Sequence, residues 1–142
     1  MIATEMANNV QVPARAAGRS SSMAFLVLIA GWLVPGAGHF LLGKWIRGLL
    51  LLVTLVLMFS VGVALRGKIY SPNTGDLLDI LNFAGDLGTG LLFFVAKIFD
   101  LGQAAVVTAT ADYGTKFIVV AGLLNVIAAV DAHSLATGRK AS

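Results

Sequence analysis

Gly48 to Leu65 reads GLLLLVTLVLMFSVGVAL, a stretch without a charge, an amide or a proline, held between Arg47 and Arg66. At a helical rise of ~1.5 Å per residue it comes close to the ~20 residues that cross a ~30 Å hydrocarbon core. A soluble core helix of that length would carry a polar face, and this one carries none. The stretch therefore predicts a membrane-spanning helix near 47–66.

The same test applied outward finds two more candidates. Ser20 to Gly43 is free of charge over a still longer stretch, and predicts a span near 23–42. Pro35, Gly36 and Gly38 near its far end should kink or end the helix around Val34. Phe117 to Val130 is uncharged but too short to cross alone, so a span near 115–136 must draw on its flanks. Asp131 and His133 then lie at one interface. Gly138 should end that helix ahead of Arg139 and Lys140.

Between these lies 77–99, where Asp86 and Lys97 bracket a shorter uncharged stretch still. At 100° per residue Asp79, Asn82, Asp86, Thr89, Lys97 and Asp100 form a polar stripe. Gly85, Gly88 and Gly90 predict a break. The expectation is an amphipathic helix pair lying in the interface, with Asp79, Asp86 and Lys97 facing water or headgroups. A fourth span is the alternative. Residues 1–22 read as a disordered tail and 23–140 as a single membrane domain. Residues 67–76 and 101–112 read as loops, and no internal repeat is found.

Composition agrees. Of 142 residues, 58% are hydrophobic and 12% charged, about half the charge of an ordinary soluble domain. The net charge of +3 comes from scattered Lys and Arg, which points to topology and anionic lipid and not to nucleic acid. With three spans, Arg15, Arg19, Arg66, Lys68, Lys97 and Lys116 share the N-terminal side. Lys44, Arg47, Arg139 and Lys140 share the other, so the N-terminus is expected in the cytoplasm. There is no Cys, which excludes disulfides, thiolate metal sites and a Cys nucleophile.

Two groups of residues carry chemistry. The first is Pro35-Gly36-Ala37-Gly38-His39-Phe40-Leu41-Leu42-Gly43-Lys44-Trp45-Ile46-Arg47. Gly38 and Gly43 permit a tight turn, Trp45 is an interface anchor, and Lys44 and Arg47 share a face. This is a hairpin turn meeting phosphate headgroups, or a small anion site with His39. The second is a polar clamp of Asn125, Asp131, His133 and Arg139. Asn125 joins Gly122, Ala129, Ala132 and Ala136 on a small-residue stripe, which predicts a helix–helix contact with an amide hydrogen bond. Asp131 faces elsewhere, about 120° away. If the spans number three, Asp131 comes within reach of Lys44 or Arg47.

The turn resembles that of the two-transmembrane-helix hairpin domain, through Gly36, Gly38, His39, Phe40, Leu42 and Gly43, with Leu41 where that family has Tyr. The turn together with Gly122-Leu123-Leu124-Asn125, Asp131-Ala132 and Gly138-Arg139-Lys140 resembles an uncharacterised bacterial family of small multi-span membrane proteins. That resemblance covers residues 25–140 and implies no activity.

No triad, nucleophile elbow, phosphate loop or dinucleotide fingerprint is present, and the two His are too isolated for a metal site. The chain is therefore expected to be no enzyme, to bind no cofactor or metal, and to reside in the bacterial cytoplasmic membrane. It is expected to act as a structural subunit, assembly factor or scaffold with other membrane subunits, or as a homo-oligomer. The alternatives are a small transporter or channel lined by Asp79, Asp86 and Lys97, and a lipid-headgroup-binding protein.

Overall fold

The computed structural model describes residues 21–72, 75–102 and 108–139. The tail predicted for residues 1–22 falls almost wholly outside them, as do Arg15, Arg19 and Lys140. Six α-helices and no strands are found among the described residues: α1 (Ser21–Leu33), α2 (Ala37–Leu41), α3 (Trp45–Ala64), α4 (Leu77–Gly88), α5 (Leu91–Ile98) and α6 (Ala109–Ala136).

The axis of the fold is α6, 28 residues or ~42 Å long. It starts at Thr108, whose hydroxyl accepts from Ala111 N, and ends before Gly138 at φ 69°. Its small residues are what let three neighbours approach. Gly114, Ala121, Gly122, Ala128, Ala129, Ala132 and Ala136 are all buried, and α1, α3 and α4 each pack on a different part of that surface. Apolar area drives little association inside lipid, so close backbone contact has to supply it.

The neighbours run in different directions. Gly62 of α3 lies against Gly114 and Ile118, while Arg47 and Asp131 line one groove; α3 is antiparallel to α6. α1 is antiparallel too, with Ala24 and Val27 clustered with Ala132 and Ala136, and Gly31 against Ala129. It stops halfway, where Trp32 O meets Asn125. α4 runs parallel to α6 from its other end, with Gly85 against Val119 and Gly88 against Gly122. It also stops halfway, where Gly88 O meets Asn125. Two half-length helices thus approach the middle of α6 from opposite ends.

The expected first span is therefore corrected. Residues 23–42 are not one helix: the described part of α1 is 13 residues, ~20 Å, and it ends at Leu33, short of the expected span. Pro35 is the cause. It has no N–H to give Gly31 O, and the last turn closes only as far as Val34 N to Ala30 O. Gly36 then takes φ 80°, and α2 climbs back along α6, with Gly38 packed against Ala132. α3 agrees with the expected 47–66 to within two residues. α6 begins earlier than expected, so 109–112, read as loop, are helical; the Thr108 cap outweighs the weak helical face. Residues 103–107 of that loop lie outside the described residues.

The 77–99 stretch is helical and broken, as read. The break falls at Thr89–Gly90, where α4 and α5 are bent by 105°. The placement of Asp86 is corrected: it is fully buried, not facing water. Its Oδ2 accepts from Tyr70 N at 2.7 Å, because residues 67–72 fold over the helix pair and hide it. Lys97 ties down the same segment through Ser71 Oγ at 2.8 Å and Ile69 O at 3.4 Å.

The outer surface is apolar. Leu49, Leu50, Val53, Leu57 and Val61 of α3 and Val120, Leu123, Ile127 and Val130 of α6 are exposed. A water-soluble monomer does not present such a belt. α3 and α6 are long and apolar enough to cross a membrane, and α4–α5 qualifies only as a bent pair.

Candidate functional site

The sequence-predicted residues divide between two places. Asn125 sits at the centre of the molecule, 1% exposed. Its Nδ2 donates to Trp32 O at 2.7 Å and to Gly88 O at 2.9 Å. Each acceptor lies in the last turn of a half-helix, where carbonyls lack intrahelical donors. One amide therefore ends two helices at once. Asn125 Oδ1 and Asp86 Oδ1 are buried without a hydrogen-bond partner among the described residues.

The second place is a groove of about 650 Å³ between α3 and α6. Leu55 and Ala128 form its buried floor, and Leu50, Leu51, Thr54, Leu124 and Ile127 its walls. His39, Arg47 and Asp131 close one end. His39 is 3% exposed, carried there by α2, and its Nε2 lies 3.3 Å from Asp131 Oδ2. Lys44, Trp45 and Arg47 lie on the turn beside it, and the Phe40 and Trp45 rings meet at 5.4 Å.

The hairpin turn and the C-terminal block thus do share one end of the molecule. Asp131 bonds His39 across 92 residues, and Arg47 lines the same groove with Lys44 on the adjoining turn. Asn125 and Asp131 point to different neighbours, as their spacing requires. His133 is half-buried and Arg139 exposed, and neither lines the groove. Pro35, Gly36 and Gly38 are buried packing positions. Sequence reasoning did not find Thr54 or the two half-helix carbonyls. The usable signal was there: an amide in an apolar helix, and two glycine-rich breaks elsewhere.

Among the described residues the structure is all helical, with an apolar belt, a groove, and two helices long and apolar enough to cross a bilayer, the features of a helical membrane protein. Residues 26–141 match a family of unknown function, DUF6677, and the chain belongs to that family. No curated protein and no solved structure matches it.

Proposed function

We propose that this chain is a non-catalytic protein of the bacterial cytoplasmic membrane that holds a lipid in the α3/α6 groove. The observation that carries this is the groove's polarity. Its polar groups, His39, Arg47 and Asp131, gather at one end, and only Thr54 interrupts the apolar lining beyond. From Arg47 to Leu55 that lining runs ~12 Å along α3. A long apolar slot with a charged mouth fits an amphiphile lying parallel to the helices. Filling the slot tests this. Thr54→Phe changes an exposed wall residue and leaves the core intact. Lipid retained by the full chain purified in mild detergent should fall at least severalfold, with the melting temperature unchanged. Equal retention by both proteins, or none by either, would refute the reading.

The expected role as a packing subunit or scaffold draws less support. The Gly/Ala stripe of α6, which suggested a surface for partners, is already covered by α1, α3 and α4.

In this reading α3 and α6 cross the bilayer, while α1–α2 and α4–α5 enter from opposite sides and return. Lys44, Arg47 and Arg139 share a side with Ser21, and Arg15, Arg19 and Lys140 flank them in sequence. Arg66, Lys68, Lys97 and Lys116 take the other side. The positive-inside rule then favours a cytoplasmic N-terminus. The chain has no Cys, so single cysteines report position cleanly. Ser22→Cys and Lys44→Cys should react with an impermeant maleimide from one side, and Lys68→Cys and Lys116→Cys from the other. If Ser22→Cys and Lys44→Cys react from opposite sides, α1–α2 is a span.

A further inference from the structure

We infer that the lipid in the groove is an anionic glycerophospholipid, its phosphate on Arg47 with Lys44 beside it and one acyl chain along α3 and α6. This rests on the groove reading above and adds the headgroup to it. Arg47 lines the groove, and it also lines a second hollow of about 430 Å³ with Gly43, Lys44, Trp45 and Ile46. Arg47 thus borders both the apolar groove and the hollow on the turn. The guanidinium is the side chain best shaped for paired bonds to phosphate oxygens.

Charge selects the sign of the headgroup. On the α6 side the mouth offers Asp131, held by His39 Nε2. On the α3 side it offers Arg47, with Lys44 on the adjoining turn, and the α3 N-cap residue Lys44 makes no side-chain cap, so the first-turn N–H groups add to the positive field there. A choline or other cationic group would meet Arg47 and the adjoining Lys44, with Asp131, already bonded to His39, the carboxylate facing it there. Depth agrees as well. Lys44 and Arg47 sit at the first turn of a 20-residue helix of ~30 Å, the level of lipid phosphates when α3 crosses the membrane. The groove opens sideways past exposed Leu50 and Ile127, so a second acyl chain can stay in the bilayer.

The test titrates the delipidated full chain in detergent with phosphatidylglycerol, phosphatidylcholine and diacylglycerol of matched chains. Bound species are counted by native mass spectrometry. Phosphatidylglycerol should bind about tenfold more tightly than the other two, a difference of about 1.4 kcal/mol. Arg47→Gln should remove that preference, Arg47→Lys should restore part of it, and neither should change diacylglycerol binding. Arg47 is exposed, so these variants should melt like the parent. If all three lipids bind equally and Arg47→Gln changes nothing, while Thr54→Phe still abolishes binding, the headgroup inference fails and the groove reading stands. If phosphatidylcholine binds as well as phosphatidylglycerol, selection for net negative charge fails. Displacement of phosphatidylglycerol by equimolar glycerol phosphate would mean a site for soluble phosphate and overturn the lipid. If no lipid binds, the groove reading itself fails.

Discussion

Gly90→Ala is expected to destabilise the protein by about 2–6 kcal/mol. Gly90 adopts φ 64°, ψ −123°, a combination that residues with a Cβ avoid. A Cβ there would also run into Trp32 O, with Leu33 O 2.7 Å and Leu33 Cα 3.0 Å away. These obstacles are backbone, so no rotamer change relieves them. Backbone strain of about 1–3 kcal/mol adds to an overpacking cost of about 1–3 kcal/mol. Gly43 provides the comparison. Its φ is 75°, yet nothing lies within 4 Å of a Cβ. Gly43→Ala should therefore cost only about 1 kcal/mol. Unfolding the two variants by denaturing detergent would measure both, and equal losses would mean the half-helix tips do not meet at Gly90.

Asn125→Leu should cost about 2–4 kcal/mol although it keeps the volume. It removes both Nδ2 bonds and leaves Trp32 O and Gly88 O in a dry interior. Orphaning a buried acceptor costs about 1–3 kcal/mol. Interhelical hydrogen bonds in membrane proteins average about 0.6 kcal/mol, because the unfolded chain also finds partners in the bilayer. The higher figure applies here because the acceptors belong to two separate helix ends, and among the described residues Asn125 is the side-chain donor seen on both. Asn125→Asp should be at least as harmful, since it turns a donor into a third acceptor. For Asn125→Leu, a loss no larger than that membrane average for one bond would show that the amide is incidental to the junction.

Periodicity and charge-free length were enough to read α3 and α6 from the sequence, because both helices span the molecule and expose a lipid-like surface along most of their length. The break at 89–90 was legible for the same kind of local reason: Gly85, Gly88 and Gly90 crowd together there. The failure at 23–42 has a different origin. Hydropathy reports the medium a residue occupies, and a helix that enters halfway and returns is as apolar as one that crosses. Only Pro35 and Gly36 distinguish the two, and their effect depended on α6 being there to receive the returning α2. Asp86 misled because the polar stripe at 100° spacing is real, yet residues 67–72, which cover it, carry no periodic signal. Of the candidate site, Arg47 and Asp131 were found as charges at span ends. The groove itself was not, because Leu55 and Ala128 become its floor only when antiparallel helices set them side by side.

Asn125 reaches Trp32 across 93 positions, and this separation bears on how the chain is made. Trp32 O at the tip of α1 lacks this hydrogen-bond donor until residue 125 of α6 has been synthesised. At about 5–20 residues per second that interval is about 5–20 s. During it, the tip of α1 cannot settle in hydrocarbon, where bare carbonyls are not tolerated. If α3 and α6 cross the bilayer as proposed, the tip of α1 can be seated only after α6 has been delivered. A nascent chain stalled short of residue 125 would then leave the apolar α1 segment open to quality control.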